Sequence, residues 1–347
     1  MTPPPGWRAD LYPPELIADR CVARVVDQSK HYYWVDTGDG PTQAKIAGRL
    51  LYQMNSEADL PVVGDWVIID PLPPPFHRIQ SLLPRYSKVS RKVVGKRHVE
   101  DVLVSNIDQL LVVHGADDTF NIRRLERFVA LAKETGVDTA IMLSKIDQTT
   151  RLPELLHTIR SACANTPLFP TSLITHEGVP DVTAWFKPHH TSVMIGPSGV
   201  GKTTLMNALT SQTMPVSLVN PKHHKGMHTT TRRQLFQLSH TPAFLIDTPG
   251  IREIQVWDIG MGLDDAFSDI YEWAQHCQFG DCTHDTEPGC AVKHAVQTGQ
   301  LAPDRLGHYQ KLRTEQAATH RRSHGHATPR DAHRFLDKQK KGSNQSR

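Results

Sequence analysis

Short apolar segments separated by turns fill the first quarter of the chain. Four such segments occur between about Arg20 and Leu83, and turn signals such as Thr37–Gly40 and Val63–Asp65 lie between them. None of the four has the apolar spacing of a helix. Several short strands joined by glycine-containing turns predict a small β-barrel. The four segments are CVARVV, HYYWVD, QAKIAGRL and DWVIID.

From about Ser105 the pattern changes to strands that alternate with helices. The segments typical of buried strands are IDQLLVV, TAIMLSK, TSVMIG and PAFLIDT. Apolar residues recur every three or four positions over Ile122–Ala132, which predicts a helix that Gly136 ends. RLPELLHTIRSA is also helical, and another helix follows TSVMIG. This alternation predicts an α/β domain around a mostly parallel sheet. After about Trp257 the chain is helical and rich in loops.

Composition excludes several classes of protein. No uninterrupted apolar run approaches the roughly 18 residues of a membrane span, and the N-terminus lacks the basic-then-apolar pattern of a signal peptide. Five prolines within residues 1–19 predict a flexible arm there. With 347 residues, of which 22% are charged and 38% hydrophobic, we expect a cytoplasmic protein of two or three domains.

Charge is distributed unevenly along the chain. The formal net charge is +3, but residues Ala291–Arg347 carry twelve Lys or Arg and only four Asp or Glu. The rest of the chain is therefore mildly acidic. A basic C-terminal segment fits either a polyanionic partner or a solubilising, disordered end, and charge alone does not decide between the two.

The strongest chemical signal is GPSGVGKT, a complete G-x-x-x-x-G-K-[ST] motif between a strand and a helix. Its glycines let backbone N–H groups surround a phosphate, Lys202 neutralises the β- and γ-phosphate oxygens, and Thr203 offers a hydroxyl to Mg²⁺. The motif alone does not distinguish ATP from GTP. The predicted contacts are Gly196, Pro197, Ser198, Gly199, Val200, Gly201, Lys202, Thr203 and Thr204.

A second phosphate-binding segment follows about fifty residues later. Asp247-Thr-Pro-Gly250 comes directly after an apolar strand. Asp247 can therefore hold the Mg²⁺ shell, and Gly250 can donate its N–H to the γ-phosphate.

Base selection is predicted upstream of both segments. Ser144-Lys145-Ile146-Asp147 ends the strand TAIML and is similar to the N-K-x-D guanine motif of GTPases. Asp147 would accept two hydrogen bonds from guanine, which adenine does not supply. Ser144 stands where Asn is usual, so the amide bridge to the P-loop is expected to be lost. An exposed turn after a strand is the alternative interpretation of this segment.

Three cysteines and a histidine lie close together near the C-terminus, as Cys277-x4-Cys282-x-His284-x5-Cys290. Three thiolates and one imidazole complete a tetrahedral zinc site with no open position, which is typical of a structural site. Spacing alone leaves disulfides or buried free thiols as alternatives, and His276 as a competing ligand. The other cysteines, expected to be small buried side chains, are Cys21 and Cys163.

The guanine-like motif precedes the P-loop and DTPG, which is the reverse of the order in ordinary GTPases and indicates a circular permutation. Together with the barrel, the segment GMHTTT (Gly226–Thr231) and the cysteine cluster, this order resembles the RsgA (YjeQ/YloQ) family of circularly permuted GTPases of small ribosomal subunit biogenesis. The resemblance covers nearly the whole chain. It implies an N-terminal OB-like β-barrel, a circularly permuted α/β P-loop GTPase domain and a C-terminal, mainly helical zinc-binding domain. The cluster would then hold one structural Zn²⁺.

The resemblance also assigns residues around the phosphates and the base. Gly226–Thr231 is similar to the family's switch I, which makes Thr230 the second hydroxyl for Mg²⁺, in addition to Thr203 and Asp247. Pro170-Thr171-Ser172 is a loose equivalent of the second base loop, so Thr171 and Ser172 join the predicted GTP contacts.

Catalysis needs a group that orients the attacking water. Ras-like GTPases use a Gln just after D-x-x-G, but Ile251 occupies that place here. His228 lies beside the threonines of the switch I segment and is the predicted water-positioning residue. Lys202 is the other predicted catalytic residue.

Two segments are candidates for RNA contact. Tyr32, Tyr33, Trp34 and Trp66 can stack on bases, although strand alternation predicts that either Tyr32 or Tyr33 points inward. Ser87–His98 is rich in Lys and Arg and has no acidic residue. It is either a phosphate-contacting segment or a solvated linker.

We therefore expect a monomeric GTPase that binds the 30S ribosomal subunit and 16S rRNA and does not bind a membrane. It would hydrolyse GTP to GDP and phosphate, with Mg²⁺, during late maturation of the subunit, and the subunit would stimulate it. The alternatives are an RNA-binding assembly scaffold with a degenerate or very slow nucleotide site, or an ATP-using P-loop enzyme. The expected parts are an arm (1–19), an OB-fold RNA-binding domain (20–85), the GTPase domain (86–258), the zinc-binding helical domain (259–330) and a basic tail (331–347).

Overall fold

The N-terminal strands form a closed barrel. β1 (Cys21–Gln28), β2 (Tyr33–Asp36), β3 (Pro41–Ile46), β5 (Phe76–Leu82) and β4 (Trp66–Asp70) are neighbours in that order, and β4 returns to β1. Inward-facing side chains such as Ala23, Val25 and Val35 are fully buried. The predicted OB-like barrel is therefore confirmed. The computed structural model describes residues 3–17, 20–29, 32–54, 56–70, 76–92, 100–210, 233–247, 267–280 and 282–323.

The barrel region differs from the sequence pattern in two elements. The pattern predicts that the third strand runs on through Leu50, but Gly48–Gln53 form helix α2. From that helix the half-buried Leu50 packs against the apolar core of the barrel, so packing in the barrel explains the change. Strand β5 has no counterpart among the predicted segments. Only Ile79 of this strand is fully buried, and its apolar pattern is correspondingly weak.

The N-terminal segment, expected to be a flexible arm, packs against the barrel. It contains a short helix, α1 (Pro14–Ile17). The Trp7 ring stacks on Tyr12 at 5.4 Å and meets the edge of Trp66 at 4.8 Å between centroids. The buried Arg24 guanidinium donates to the carbonyl of Pro5 at 2.8 Å. These apolar and polar contacts hold the proline-rich segment in place.

The central part of the chain is a sheet covered on both faces by helices. Its strands lie in the order β10 (Leu168–Thr171), β9 (Asp138–Ser144), β8 (Gln109–Gly115), β11 (Thr191–Ile195), β13 (Phe244–Asp247), β12 (Arg233–Gln237). All neighbours are parallel except β12 and β13. The helices are α3 (Ile122–Glu134), α4 (Leu152–Ala162), α5 (Val179–Trp185) and α6 (Lys202–Leu209). This arrangement confirms the predicted α/β domain.

The barrel and the central sheet are joined by backbone pairing. Strand β12 pairs with β1, with Gln234 opposite Asp27, so the two sheets form one eleven-stranded sheet. A separate hairpin of β6 (Lys88–Lys92) and β7 (Glu100–Ser105) lies at the same junction. The described part of the predicted basic segment is therefore a strand and not a linker.

The C-terminal part is helical, as predicted. It contains α7 (Ser268–Ala274), α8 (Ala291–Gln297) and α9 (Pro303–Ser323). Buried Phe267, Ile270 and Leu312 form its small apolar core, which also includes Ala130 of α3. None of the helices in the described ranges combines the length and apolar character needed to cross a membrane.

Candidate functional site

The predicted nucleotide segments meet at one edge of the central sheet. The parallel strands β8, β9, β10, β11 and β13 end there, and β9 pairs Ser144 with Thr171 of β10 and with Gly115 of β8. The P-loop follows β11, and Asp247 is the last residue of β13. In parallel sheets, ligands bind outside the carboxyl ends of the strands. The fold therefore brings the base segments and the phosphate segments to one edge.

The P-loop has the backbone form that a phosphate cradle requires. Gly196 adopts a φ of 145°, and a Cβ atom at this position would lie 2.0 Å from the carbonyl oxygen of Val113. Only glycine fits such a close approach. Helix α6 begins at Lys202 and has no side-chain cap, so its first N–H groups remain available to an anion. The loop thus fits a nucleotide phosphate.

Lys202 and Thr203 occupy the mouth of this cradle. The Lys202 ammonium donates to the carbonyl oxygens of Gly196 and Pro197 at 2.7 and 2.6 Å. The Thr203 side chain is exposed on the first turn of α6. The ammonium therefore already lies over the loop, where the β- and γ-phosphate oxygens are expected.

Ser144 bridges the P-loop and the base segment Ser144–Asp147, which we call the SKID segment. Its buried hydroxyl donates to the carbonyl of Val200 at 2.6 Å and lies 3.2 Å from that of His114. The sequence predicts that the bridge is lost when Ser replaces Asn. The structure shows a hydroxyl bridge in its place, because the two loops approach closely enough for the shorter side chain.

The other residues of the SKID segment divide between the core and the solvent. Ile146 is buried among the apolar residues of the domain, so its backbone alone faces the site. Asp147 is exposed, as a carboxylate that receives a base must be. Lys145 has a left-handed φ of 58°, and its ammonium bonds Asp117 at 2.6 Å.

Asp117 is a functional candidate that sequence reasoning missed. Burial acts to raise its pKa, but hydrogen bonds from Lys145 and Thr119 outweigh burial and lower the pKa below its ordinary value. A carboxylate that stays ionised fixes the direction of the Lys145 side chain. The pair spans 28 positions of the chain, so no local motif indicates it.

The second base loop is compact and internally bonded. Thr171 and Ser172 are fully buried, and the Ser172 hydroxyl accepts hydrogen bonds from the N–H groups of Ile174 and Thr175. Gly178 has a φ of 69°, and a Cβ atom there would lie 2.0 Å from the carbonyl oxygen of Pro170. The loop is therefore held against the end of β10, beside the SKID segment.

Part of the predicted site lies outside the described residues. This part comprises the switch I segment with His228 and Thr230, the glycine Gly250, and Ile251. Asp247 is described and is half-buried at the end of β13.

The cysteine cluster has the geometry of a metal site. One ligand atom from each of Cys277, Cys282, His284 and Cys290 lies within 4.8 Å of the others. The Cys277 and Cys290 sulfurs are 3.9 Å apart, and His284 Nδ1 is 3.6 and 3.4 Å from them. A tetrahedral Zn–S bond of about 2.3 Å puts two sulfurs about 3.8 Å apart. The four residues therefore fit one Zn²⁺.

Neighbouring groups prepare the cluster for a cation. Burial and the nearby Arg313 lower the pKa of His284, which favours the neutral imidazole that binds a metal. The guanidinium of Arg313 also donates to the carbonyl of Cys282 at 3.0 Å, and Gln310 donates to that of His284 at 2.6 Å. Helix α9 thus supports the loop that carries the ligands.

Comparison with known proteins decides the family. The family model of the RsgA GTPase matches residues 82–257, which include the SKID segment, the P-loop and DTPG. The chain belongs to the RsgA GTPase family. It is therefore a GTP hydrolase, and along its chain the base segment precedes the P-loop.

Similarity to RsgA proteins extends beyond the GTPase domain. The small ribosomal subunit biogenesis GTPase RsgA 1 of Oceanobacillus iheyensis is 38% identical over 306 residues, which cover 87% of this chain and 86% of the relative. The small ribosomal subunit biogenesis GTPase RsgA of Opitutus terrae is 35% identical over 331 residues, which cover 91% of this chain and 90% of the relative. The similarity thus reaches into the regions on both sides of the GTPase domain.

Two solved structures share the fold. YjeQ from Thermotoga maritima has a TM-score of 0.62 and 26% identity, and the match covers 86% of this chain and 99% of that one. YloQ, described as a circularly permuted GTPase, has a TM-score of 0.61 at 23% identity, with 87% and 96% covered. These matches agree with the RsgA fold of barrel, permuted GTPase domain and C-terminal helices.

The RsgA barrel presents a different aromatic surface from the one predicted. Tyr33 lies in the barrel core, as alternation predicts for one of the two tyrosines, but Trp66 is 1% exposed and is not available to a base. Tyr32, one of the predicted rings, stacks on the exposed Phe76 at 5.9 Å between centroids. The Lys45 ammonium lies about 5 Å from both rings. Phe76 was missed because strand β5 was missed.

Proposed function

We propose that this RsgA family member binds the 30S ribosomal subunit, assists its late maturation and hydrolyses GTP to GDP and phosphate when the subunit stimulates it. The observation that carries the proposal is the hydroxyl bridge from Ser144 to Val200, which joins an intact base segment to an intact P-loop. A degenerate site would not need that bridge. The names of the relatives, small ribosomal subunit biogenesis GTPases, support the 30S subunit as partner.

Guanine recognition is assigned to the SKID segment and the loop after β10. Asp147 would accept hydrogen bonds from the base, and the Lys145 stem, held by Asp117, would lie along its face. Thr171 and Ser172 would close the opposite side. Adenine lacks the two donors that Asp147 needs, so GTP is favoured over ATP.

Phosphate binding and hydrolysis are assigned to the P-loop and the segments facing it. Residues Gly196–Thr204 and the N–H of Gly250 would hold the phosphates. Thr203, Thr230 and Asp247 would hold Mg²⁺, which would neutralise charge on the phosphates when it is bound with GTP. His228 would position the attacking water, and Lys202 would stabilise the charge that develops on the phosphate oxygens.

The remaining assignments concern the whole chain. One structural Zn²⁺ would be held by the Cys277, Cys282, His284 and Cys290 cluster, whose geometry fits it. The barrel (20–85) and the basic tail (331–347) would contact 16S rRNA on either side of the GTPase domain (86–258) and the zinc domain (259–330). The protein would act as a cytoplasmic monomer.

The test is GTP turnover by the purified protein, with and without 30S subunits. We expect slow turnover that rises on addition of 30S subunits, and much slower turnover of ATP. His228→Ala is expected to lose most of the stimulated rate while still binding GTP.

Three results would count against these assignments. Equal turnover with and without subunits would remove the stimulated function, and equal use of ATP would remove guanine selection. Equal stimulated rates for His228→Ala and wild type would remove the role of His228. Lys187→Ala is a matched control, because Lys187 forms an exposed ion pair with Asp138 away from the nucleotide edge.

A further inference from the structure

A basic groove of about 520 Å³ lies between α3 and α9, outside the nucleotide site and the cysteine cluster. Arg123, Arg124 and Arg127 line it from α3, and Lys311 lines it from α9. In the described lining, Asp304 is the one carboxylate. Because residues three or four positions apart share a face of a helix, the three arginines lie on one side of α3 and face Lys311 of α9. We call this feature the α3–α9 groove.

Part of the positive charge in the groove is not neutralised by described carboxylates. Arg123 pairs with Asp304 at 3.1 Å, but these side chains are 57% and 88% exposed, so the pair is weak and replaceable. Arg124 and Lys311 are exposed. No carboxylate lies within ion-pair distance of either in the ranges that the structure describes. The groove therefore attracts an anion.

Buried contacts under the groove fix the spacing of its charges. Glu126, on the inner face of α3, bonds His308 of α9 at 2.7 Å and also bonds Arg305. Glu126 and His308 are both buried. Helices tied together below a groove present the cations above it at a constant distance, which suits a ligand with regularly spaced charges.

We propose that the α3–α9 groove binds the phosphodiester backbone of a double-helical RNA segment. Cations line the groove from both helices, and the sequence after α9 is strongly basic, so a long polyanion matches this surface better than a small one. The described lining contains no Phe, Tyr or Trp ring on which an unpaired base would stack. Contact of this kind fixes the position of an RNA helix without reading its sequence.

The proposal rests on the proposed function, since a ribosomal subunit supplies such RNA helices. It adds a third RNA-contacting surface to the barrel and the tail, at the boundary between the GTPase domain and the C-terminal helices. A groove formed jointly by two domains would hold them together on the subunit.

The experiment measures binding of the full-length protein to a fluorescent RNA hairpin with a 20-base-pair stem, at several KCl concentrations. Arg124→Ala combined with Lys311→Ala is expected to reduce the slope of log affinity against log salt by about two, since each lost phosphate contact removes about one. Lys187→Ala removes one exposed cation elsewhere and is expected to leave the slope unchanged.

Gly307 allows a test that deletes no side chain. It lies in the groove on α9, and a Cβ atom there would meet nothing within 4 Å. Gly307→Glu is therefore expected to weaken hairpin binding, Gly307→Lys to strengthen it, and Gly307→Gln to lie between them. All three replace a glycine inside a helix by a better helix former, so loss of folding does not explain a difference in sign.

The outcomes separate the groove from the proposed function. Failure of the wild type to bind 30S subunits overturns the proposed function, and the groove proposal with it. In a second outcome, the wild type binds 30S subunits while the Arg124 and Lys311 changes leave the salt slope unaltered and the three Gly307 variants bind the hairpin equally. That result overturns the groove proposal alone. If poly-glutamate competes more strongly than the unlabelled hairpin, the assignment of RNA as the ligand is overturned in favour of an acidic protein partner.

Discussion

At the scale of single residues, Ser144 shows how a shorter side chain keeps a contact that an amide usually makes. A serine hydroxyl has one donor hydrogen, and here it points to the carbonyl of Val200 in the P-loop. The residue is 1% exposed, so water does not compete for this bond. The bond joins two loops that are predicted to hold different parts of one nucleotide. Its free energy therefore contributes to nucleotide binding as well as to folding.

Ser144→Ala is therefore expected to weaken binding of both GDP and GTP by about tenfold, which corresponds to about 1.4 kcal/mol. Removing the hydroxyl leaves the buried carbonyl of Val200 without this donor, and an unsatisfied buried acceptor costs about 1–3 kcal/mol. The measurement is titration with a fluorescent guanine nucleotide at fixed Mg²⁺ concentration.

Thr166→Val is the matched control for this change. The Thr166 hydroxyl is also buried, but it has no hydrogen-bond partner among the described residues. Its removal is expected to leave nucleotide affinity unchanged. If Ser144→Ala binds GDP and GTP as tightly as Thr166→Val does, the bridge has no part in nucleotide binding.

The contrast between Lys202 and Asp117 shows which site residues a sequence reveals. The P-loop and the cysteine cluster can be picked out from the sequence, because their expected chemistry requires fixed residue types at fixed short spacings. Asp117 holds Lys145 across a turn, a helix and a strand, and no short spacing connects the two. Contacts of that kind arise only when the sheet brings the ends of β8 and β9 together.

At the scale of elements, the C-terminal helices depend on the loop that carries the cysteine ligands. Their apolar core is small, and the buried Cys282 and Cys290 are part of it. Cys290 caps α8 by accepting from the N–H of Lys293 at 3.4 Å. A metal bound to the cluster would therefore stabilise the start of α8 and the contact of the loop with α9.

Removal of zinc is accordingly expected to loosen α7, α8 and α9 while the central sheet stays folded. Cys290→Ser is expected to purify with much less than one zinc per chain and to become sensitive to proteolysis after about residue 267. Elemental analysis and limited proteolysis measure the two effects.

Cys163→Ala provides the control for zinc removal. Cys163 is buried in the core of the GTPase domain and is not one of the four cluster residues, and burial raises the pKa of its thiol to about 12. The variant is expected to retain one zinc and the wild-type proteolysis pattern. Full zinc content in Cys290→Ser, or identical proteolysis of the two variants, would rule out the structural role.

The elements that sequence predicts well here are those with a strong local pattern. Strands β8, β9, β11 and β13 are nearly continuous apolar runs, as strands buried on both faces must be. Helix α2 and strand β5 were missed because barrel neighbours, and not their own patterns, determine them. Strand β5 gains its hydrogen bonds from the preceding strand β4 and from the more distant β3, where Gln43 lies opposite Phe76.

At the scale of the whole molecule, one guanidinium ties the GTPase domain to the C-terminal helices. Arg305 of α9 bonds Glu126 of α3, Asp269 of α7 and the carbonyl of Ala162 at the end of α4. Glu126 and Arg305 lie 179 positions apart, so nothing local in the sequence indicates the contact. The Arg305 group also lies 4.7 Å from the centre of the buried Phe267 ring.

Glu126→Gln is expected to separate the two parts of the molecule on heating or in urea. Glu126 is buried and receives bonds from both Arg305 and His308, and breaking a buried ion pair costs about 3–5 kcal/mol. Because Arg305 keeps Asp269 as a partner, we expect a cost at the lower end of that range. The C-terminal helices are expected to unfold in a separate, earlier transition, which tryptophan fluorescence and circular dichroism measure. Asp138→Asn breaks the half-exposed pair with Lys187 and is expected to cost less than about 1 kcal/mol. One cooperative transition at the same midpoint in both variants would show that the Arg305 contacts do not couple the domains.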